Sequence, residues 1–209
     1  MNKNHFIIST LAAWTLCAAT QGHALAQATL EAPAAPGLTA ATSTTAETEY
    51  QEGLRYYKGN GVSKDYTKAA RHFLKAAEQG HAAAQFYLGF CYEIGRGVTQ
   101  SYTEAVKWYQ LAADQGNAGA QYNLGGCYAR GRGVVQSYTE AVRLFKLSAD
   151  QGNAAAQHNM GACYANGYGV TRSYTEAVKW YQLAAEQRYA LAQYNLGDCY
   201  ERGNGVPQS

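Results

Sequence analysis

Cys91, Cys127, Cys163 and Cys199 stand 36 residues apart, each inside the phrase Gly-x-Cys-Tyr. Thiols repeated in this way could pair as disulfides, bind a metal, or serve as small buried apolar groups. Equivalent residues on neighbouring units of a stacked helical array lie roughly 9 to 10 Å apart, whereas bridged cysteines need Cα atoms within about 7 Å. Tetrahedral zinc needs its thiolates about 2.3 Å from one ion, and no histidine recurs nearby. Both pairings are therefore disfavoured, and no metal or other cofactor is expected. Comparison along the chain favours packing. In the first unit Arg55 replaces the cysteine, Glu52 replaces Leu88 and His72 replaces Trp108; such polar substitution suits a terminal unit with nothing before it to pack against.

Catalytic chemistry is not signalled. The chain contains no Ser-x-x-Lys, Gly-x-Ser-x-Gly, His-Glu-x-x-His or phosphate loop. His72, His81 and His158 fall at different places in the repeat and lack a recurrent carboxylate partner that would make one of them a base. The expectation is a protein that is not an enzyme.

The elements that position these residues follow from the period. Units occupy about 45–80, 81–116, 117–152 and 153–188, with a partial unit over 189–209. In the second unit Ala84, Leu88, Cys91 and Tyr92 define one face of a helix over 82–94, which ends at Gly95-Arg96-Gly97-Val98. Ser101-Tyr102-Thr103-Glu104 then opens a second helix as a capping box, repeated at 137–140 and 173–176; the first unit offers Asp65 as a cap, with Lys68 in the glutamate's place. The second helix carries Ala105, Trp108, Tyr109, Ala112 and Ala113 on one side. Glycine recurs inside every first helix, at 53, 89, 125, 161 and 197. It costs a helix about 1 kcal/mol against alanine, so the column predicts close helix-to-helix approach, with Ala112, Ala149 and Ala185 as candidate facing surfaces. Arg188 stands where glycine ends the second helix at 80, 116 and 152, which predicts a strained or reshaped connection.

Residues 1–26 read as a secretory signal: Lys3 precedes an apolar run from Phe6 to Ala19, and Ala24-Leu25-Ala26 offers a small-x-small cleavage site. The run is too short to span a membrane. Cys17 raises the alternative of a lipid anchor, but Leu16 precedes it where Gly or Ala is usual. Residues 27–48, rich in Ala, Thr and Ser with Pro33 and Pro36, read as a disordered tether, and 49–209 as the array. A net charge of +2, scattered rather than clustered, points away from nucleic acid and anionic membranes. The expected location is the bacterial periplasm, with secretion as the alternative.

The array resembles the Sel1-like repeat family, relatives of tetratricopeptide repeats. The likeness rests on Ala-Gln-Tyr-Asn-Leu-Gly at 120–125 and 192–197, the Gly-x-Gly-Val turns at 95–98, 131–134 and 167–170, and Lys-Trp-Tyr-Gln-Leu-Ala-Ala at 107–113 and 179–185. It implies an all-α fold, a right-handed α-solenoid of helix-turn-helix units with a 36-residue period. Some cysteine-rich members form disulfides, and some are associated with β-lactam binding or hydrolysis. The final unit stops at Ser209, where a serine would cap its second helix, so the chain is either truncated or open at that helix.

By the same resemblance the first helices line a concave surface that binds a protein or peptide. Asn123, Asn159 and Asn195 form one candidate column, since an amide can both donate to and accept from an extended backbone; the alternative is a bond to a neighbouring unit. Tyr122 and Tyr194, in the column of Phe86 and His158, and Arg130 and Arg202, in the column of Ile94 and Asn166, are candidates for selectivity. Arginine there could meet a partner carboxylate or simply complement the helix dipole. The function these features imply is that of an exported adaptor, with a secreted or wall-binding factor as the alternative. The partner and the oligomeric state are not written in the sequence.

Overall fold

The computed structural model describes residues 40–205, with side chains from 45 onward. The expected signal peptide and most of the expected tether lie outside these residues. Nine helices and no strands occur among them: α1 Ala40–Lys58, α2 Tyr66–Glu78, α3 Ala82–Ile94, α4 Tyr102–Asp114, α5 Ala118–Arg130, α6 Tyr138–Asp150, α7 Ala154–Asn166, α8 Tyr174–Glu186 and α9 Ala190–Glu201. The fold is the expected all-α array of helix-turn-helix units. The chain divides into two compact units between Ser137 and Tyr138. In the first, each helix from α1 to α5 packs on the next; in the second, α6 to α9 do the same.

Because α1 begins at Ala40, residues 40–48 are helical where a tether through Thr48 was expected. Side chains hold them. Ala46 is buried, Glu47 Oε2 lies 2.9 Å from His81 Nε2, and Glu49 meets His72 Nδ1 at 2.6 Å and Lys75 Nζ at 3.3 Å. Burial raises the Glu49 carboxyl, but its bonds to His72 and Lys75 outweigh that and leave it below the usual carboxylate range.

Helix ends follow local chemistry. His81, Asn117 and Asn153 cap α3, α5 and α7 by accepting from the amides of Ala84, Ala120 and Ala156. Gly95 ends α3 at φ 67°, a left-handed conformation that glycine takes without steric cost. The capping boxes form by halves. Ser101 and Ser173 accept from the amides of Glu104 and Glu176, yet the serine amides donate to the carbonyls of Tyr92 and Tyr164, closing the preceding loop. Glu104 and Glu176 consequently pair with Lys107 and Lys179, each at 2.6 Å.

In the turns after the first, the second glycine lies against backbone of the preceding repeat: a Cβ on Gly97 would meet the Tyr66 carbonyl, and one on Gly169 the Tyr138 carbonyl. The residue between the two glycines stacks there as well. Arg96 lies over the Tyr66 ring at 4.7 Å, Arg132 over Tyr102 at 5.3 Å, and Tyr168 is stacked on Tyr138 at 4.8 Å.

Gly53, Gly89 and Gly161, inside their first helices, do receive a neighbouring helix, but its side-chain contact is aromatic rather than alanine. A Cβ at Gly53 would come within 2.5 Å of Phe73, at Gly89 within 2.7 Å of Tyr109, and at Gly161 within 2.5 Å of Tyr181. Arg188 has φ 61°, the conformation glycine takes at Gly80, Gly116 and Gly152, so the last connection keeps its shape and carries the strain.

Candidate partner-binding surface

The cysteine column is core. Cys91, Cys127, Cys163 and Cys199 are free thiols, each at most 4% exposed. Burial pushes Cys91, Cys127 and Cys163 up to about 12; near Cys127 the Glu93 carboxylate adds to this while Arg130 and Arg132 pull the other way. A thiol so raised is almost wholly protonated at neutral pH and is a poor nucleophile. No group of three or more His, Cys, Asp or Glu able to hold a metal occurs among the described residues.

The asparagines bond within the array. Asn123 is half-buried on α5 and its Nδ2 donates to the Tyr109 hydroxyl at 3.0 Å. That hydroxyl in turn donates to Glu93 Oε2 at 2.6 Å, joining α3, α4 and α5. Burial, with the Glu93 carboxylate beside it, holds the Tyr109 hydroxyl protonated, well above the usual phenol range. Asn159, on α7, is 3% exposed. Its Oδ1 lies 3.3 Å from His158 Nδ1, and Asn195 Nδ2 on α9 lies 2.9 Å from His158 Nε2. Since the Asn195 amide can only donate, Nε2 accepts and the ring proton sits on Nδ1. The ring lies between Tyr181 and Tyr189, with centroids 5.7 and 5.4 Å away, and burial lowers His158 to about 4.

The selectivity candidates divide. Tyr122 and Arg130 are half-buried on α5, the Arg130 guanidinium lying 2.8 Å from a Cβ placed at Gly126. Tyr194 on α9 is 74% exposed. Arg202, exposed at the end of α9, donates through Nε to Asp198 Oδ1 at 2.6 Å. The structure thus groups Asn195, Tyr194 and Arg202 on α9, links Asn159 to Asn195 through His158, and groups Asn123, Tyr122 and Arg130 on α5.

Sequence reasoning passed over the bond between Tyr109 and Glu93. A signal was present: Tyr57, Glu93, Ala129, Ala165 and Glu201 share one column, and a carboxylate among small residues near the end of an apolar helix asks for a donor.

These elements define a helical-repeat scaffold. The Sel1 repeat matches residues 46–81, 82–117, 118–153, 154–189 and 190–209, and the chain belongs to the Sel1 repeat family. Among solved structures it is similar to a protective antigen of uropathogenic Escherichia coli strains that displays an SLR fold, with 44% identity and a TM-score of 0.76 over 79% of this chain and 36% of the other. It therefore spans about a third of that relative's length. A Sel1 repeat protein from Oxalobacter formigenes is similar at 37% identity, TM-score 0.75, over 82% of this chain and 71% of the other. Comparison with curated proteins gave no significant match. No helix among the described residues is long and apolar enough to cross a membrane.

Proposed function

We propose that the chain is an exported, non-enzymatic adaptor that binds a protein or peptide partner through its first helices, on the concave side of the repeat array. One observation carries the reading. The cysteine and asparagine columns are taken up by packing and by bonds within the array, whereas the columns that vary from unit to unit leave Ile94, Asn166 and Arg202 exposed at the ends of α3, α7 and α9, and Tyr194 exposed on α9. Scaffolds of helical repeats use such variable positions on a shared frame, and a rigid frame limits the entropy lost when a partner docks. Tyrosine supplies contact area at low conformational cost, and arginine supplies a fork for a carboxylate. Against catalysis, the recurring thiols are buried and protonated. Export to the periplasm rests on Lys3, the apolar run after it and the Ala24-Leu25-Ala26 site.

The test is capture from an envelope fraction with the full chain, in parallel with binding to purified peptidoglycan and incubation with a β-lactam. The expected result is one defined protein, retained by the wild type and lost from Arg130→Glu and Arg202→Glu variants with unchanged helical content. Retention on peptidoglycan alone, or turnover of the β-lactam, would overturn the proposal. Loss of an N-terminal segment near residue 26, read by mass spectrometry of the periplasmic protein, checks export.

A further inference from the structure

Within the compact unit that ends at Ser137, residues 59–65, 95–101 and 131–137 join first to second helices. These turns lie side by side. Gly97 of the second sits against the backbone at Tyr66, just after the first, and Gly133 of the third against the backbone at Tyr102, just after the second. Such close packing fixes the residue before each glycine. Arg96 lies over the Tyr66 and Tyr57 rings at 4.7 and 5.6 Å and donates to the Tyr57 hydroxyl at 2.9 Å, and Arg132 lies over Tyr102 at 5.3 Å. Stacking does not by itself require arginine, since Tyr168 fills the same column by stacking on Tyr138.

Charge along this edge does not balance. Glu52 pairs with Arg55, Asp65 with Lys68 and Glu104 with Lys107, while Glu93 is buried against the Tyr109 hydroxyl. Lys58, Lys64, Arg96 and Arg132 have no carboxylate partner among the described residues. The four are scattered in the sequence, and the fold brings them to one edge. A stacked guanidinium uses its face and keeps its rim of N–H donors for an acceptor in its plane. Arg96 and Arg132 stand one repeat apart, roughly 9 to 10 Å. A polyproline-II segment rises about 3.1 Å per residue with three residues per turn, so carboxylates three residues apart share one face at that spacing.

We propose that this turn edge binds an acidic, proline-rich segment of a partner protein in which a carboxylate recurs at every third residue. One carboxylate accepts from Arg96 and the next from Arg132, and Lys58 and Lys64 hold the charge that follows beyond Arg96. A lipid headgroup layer or a flexible polyanion offers charge at many spacings and gains little from guanidiniums held at fixed points. A polyproline-II segment is preformed and loses little entropy on docking. The surface is separate from the face of the first helices and stands whether or not that face takes a partner.

The experiment uses the full 209-residue chain and a fluorescent, end-capped peptide with aspartate at every third position between prolines. Its counterpart has the same composition with the aspartates adjacent. Anisotropy is expected to give saturable one-to-one binding that weakens with added salt, and about tenfold lower affinity for the counterpart. Arg96→Tyr and Arg132→Tyr each keep a ring for stacking, as Tyr168 does on Tyr138, so the thermal midpoint should hold while affinity for the spaced peptide falls about tenfold. Lys75→Gln removes the same charge from the far end of α2 and should leave affinity unchanged. Equal affinity for the two peptides, indifference to both arginine variants, an equal loss in Lys75→Gln, or no saturable binding overturns the proposal. Binding to anionic lipid vesicles or inorganic polyphosphate that is tighter than to the spaced peptide and lost in Arg132→Tyr would give the edge to another anion. Self-association that Arg132→Tyr abolishes would give it to a second copy, and either result equally overturns the proposal.

Discussion

Asn195 Nδ2 lies 2.9 Å from His158 Nε2, so the amide of one helix reads the protonation state of a buried ring on another. Protonation would set two donors against each other, beside Tyr181 and Tyr189 and with Asn159 already on Nδ1. The folded chain holds His158 at about 4 against an ordinary 6.5, so the unfolded chain takes the proton first. Stability from this group is complete above pH 6.5 and is lost as pH falls towards 4, about 3 kcal/mol in all. Denaturant unfolding at pH 7 and at pH 4.5 should show that loss. His158→Phe should flatten the dependence across this window and, by leaving two amides unpaired, lower stability at pH 7 by about 1 to 3 kcal/mol.

Gly89 and Gly197 occupy the same column and should respond to alanine with opposite signs. At Gly89 the new methyl would lie 2.7 Å from the Tyr109 ring and 3.2 Å from the Ala105 carbonyl, so overpacking outweighs the gain in helix propensity. At Gly197 the methyl meets nothing among the described residues, and the helix gains about 1 kcal/mol. Thermal melts of the two variants check this: Gly89→Ala is expected below the wild type and Gly197→Ala above it. A lower midpoint for Gly197→Ala would mean that the space is not open.

That contrast marks what the sequence could say. Period, helix bounds and turn glycines are local properties, and the reading of α3 over 82–94 coincides with the helix found. The burial of the cysteines was legible because Arg55 broke the column in the one unit that need not pack it. The partner of each glycine was not legible, since alanine and aromatic columns alternate on the same second helix and the crossing of two helices decides which one enters the notch. The start of α1 was missed because residues 40–48 have a tether's composition, and what holds Glu47 there is His81, 34 residues further on. The asparagines read as helix-breaking residues free to bind; the bonds of Asn195 and Asn159 depend on His158, whose column elsewhere is Phe86, Tyr122 and Tyr194.

Arg188 should be replaceable to advantage. The turn it serves keeps the hydrogen bonds of its equivalents: the Arg188 amide donates to the Ala185 carbonyl at 2.9 Å, as the Gly116 amide donates to Ala113 at 2.9 Å. The backbone is therefore held left-handed by the connection and not by the side chain. Arg188→Gly relieves the clash of Cβ with the backbone, partly offset by the greater freedom of an unfolded glycine, for a net gain of about 1 kcal/mol. Chemical denaturation measures it, and an unchanged midpoint would show that the arginine side chain contributes as much as the strain removes.

The cysteines give the last test, because packing and disulfide formation predict opposite thiol counts. If Cys91, Cys127, Cys163 and Cys199 are core residues, a thiol reagent at pH 8 finds none of them in the folded protein and all four after denaturation without reductant. Two causes act together: each sulfur is shielded from the reagent, and the thiols of Cys91, Cys127 and Cys163, held near 12, are ionised in only about one molecule in ten thousand at that pH. Order should also follow the fold. Cys199 lies on α9, which has no side-chain cap at Tyr189 and has nothing among the described residues against Gly197, so local opening of that helix exposes it first. In mild denaturant Cys199 should label before the other three, and mapping the labelled peptide by mass spectrometry identifies it. Labelling of Cys127 first would place the weakest part of the array in the middle rather than at α9.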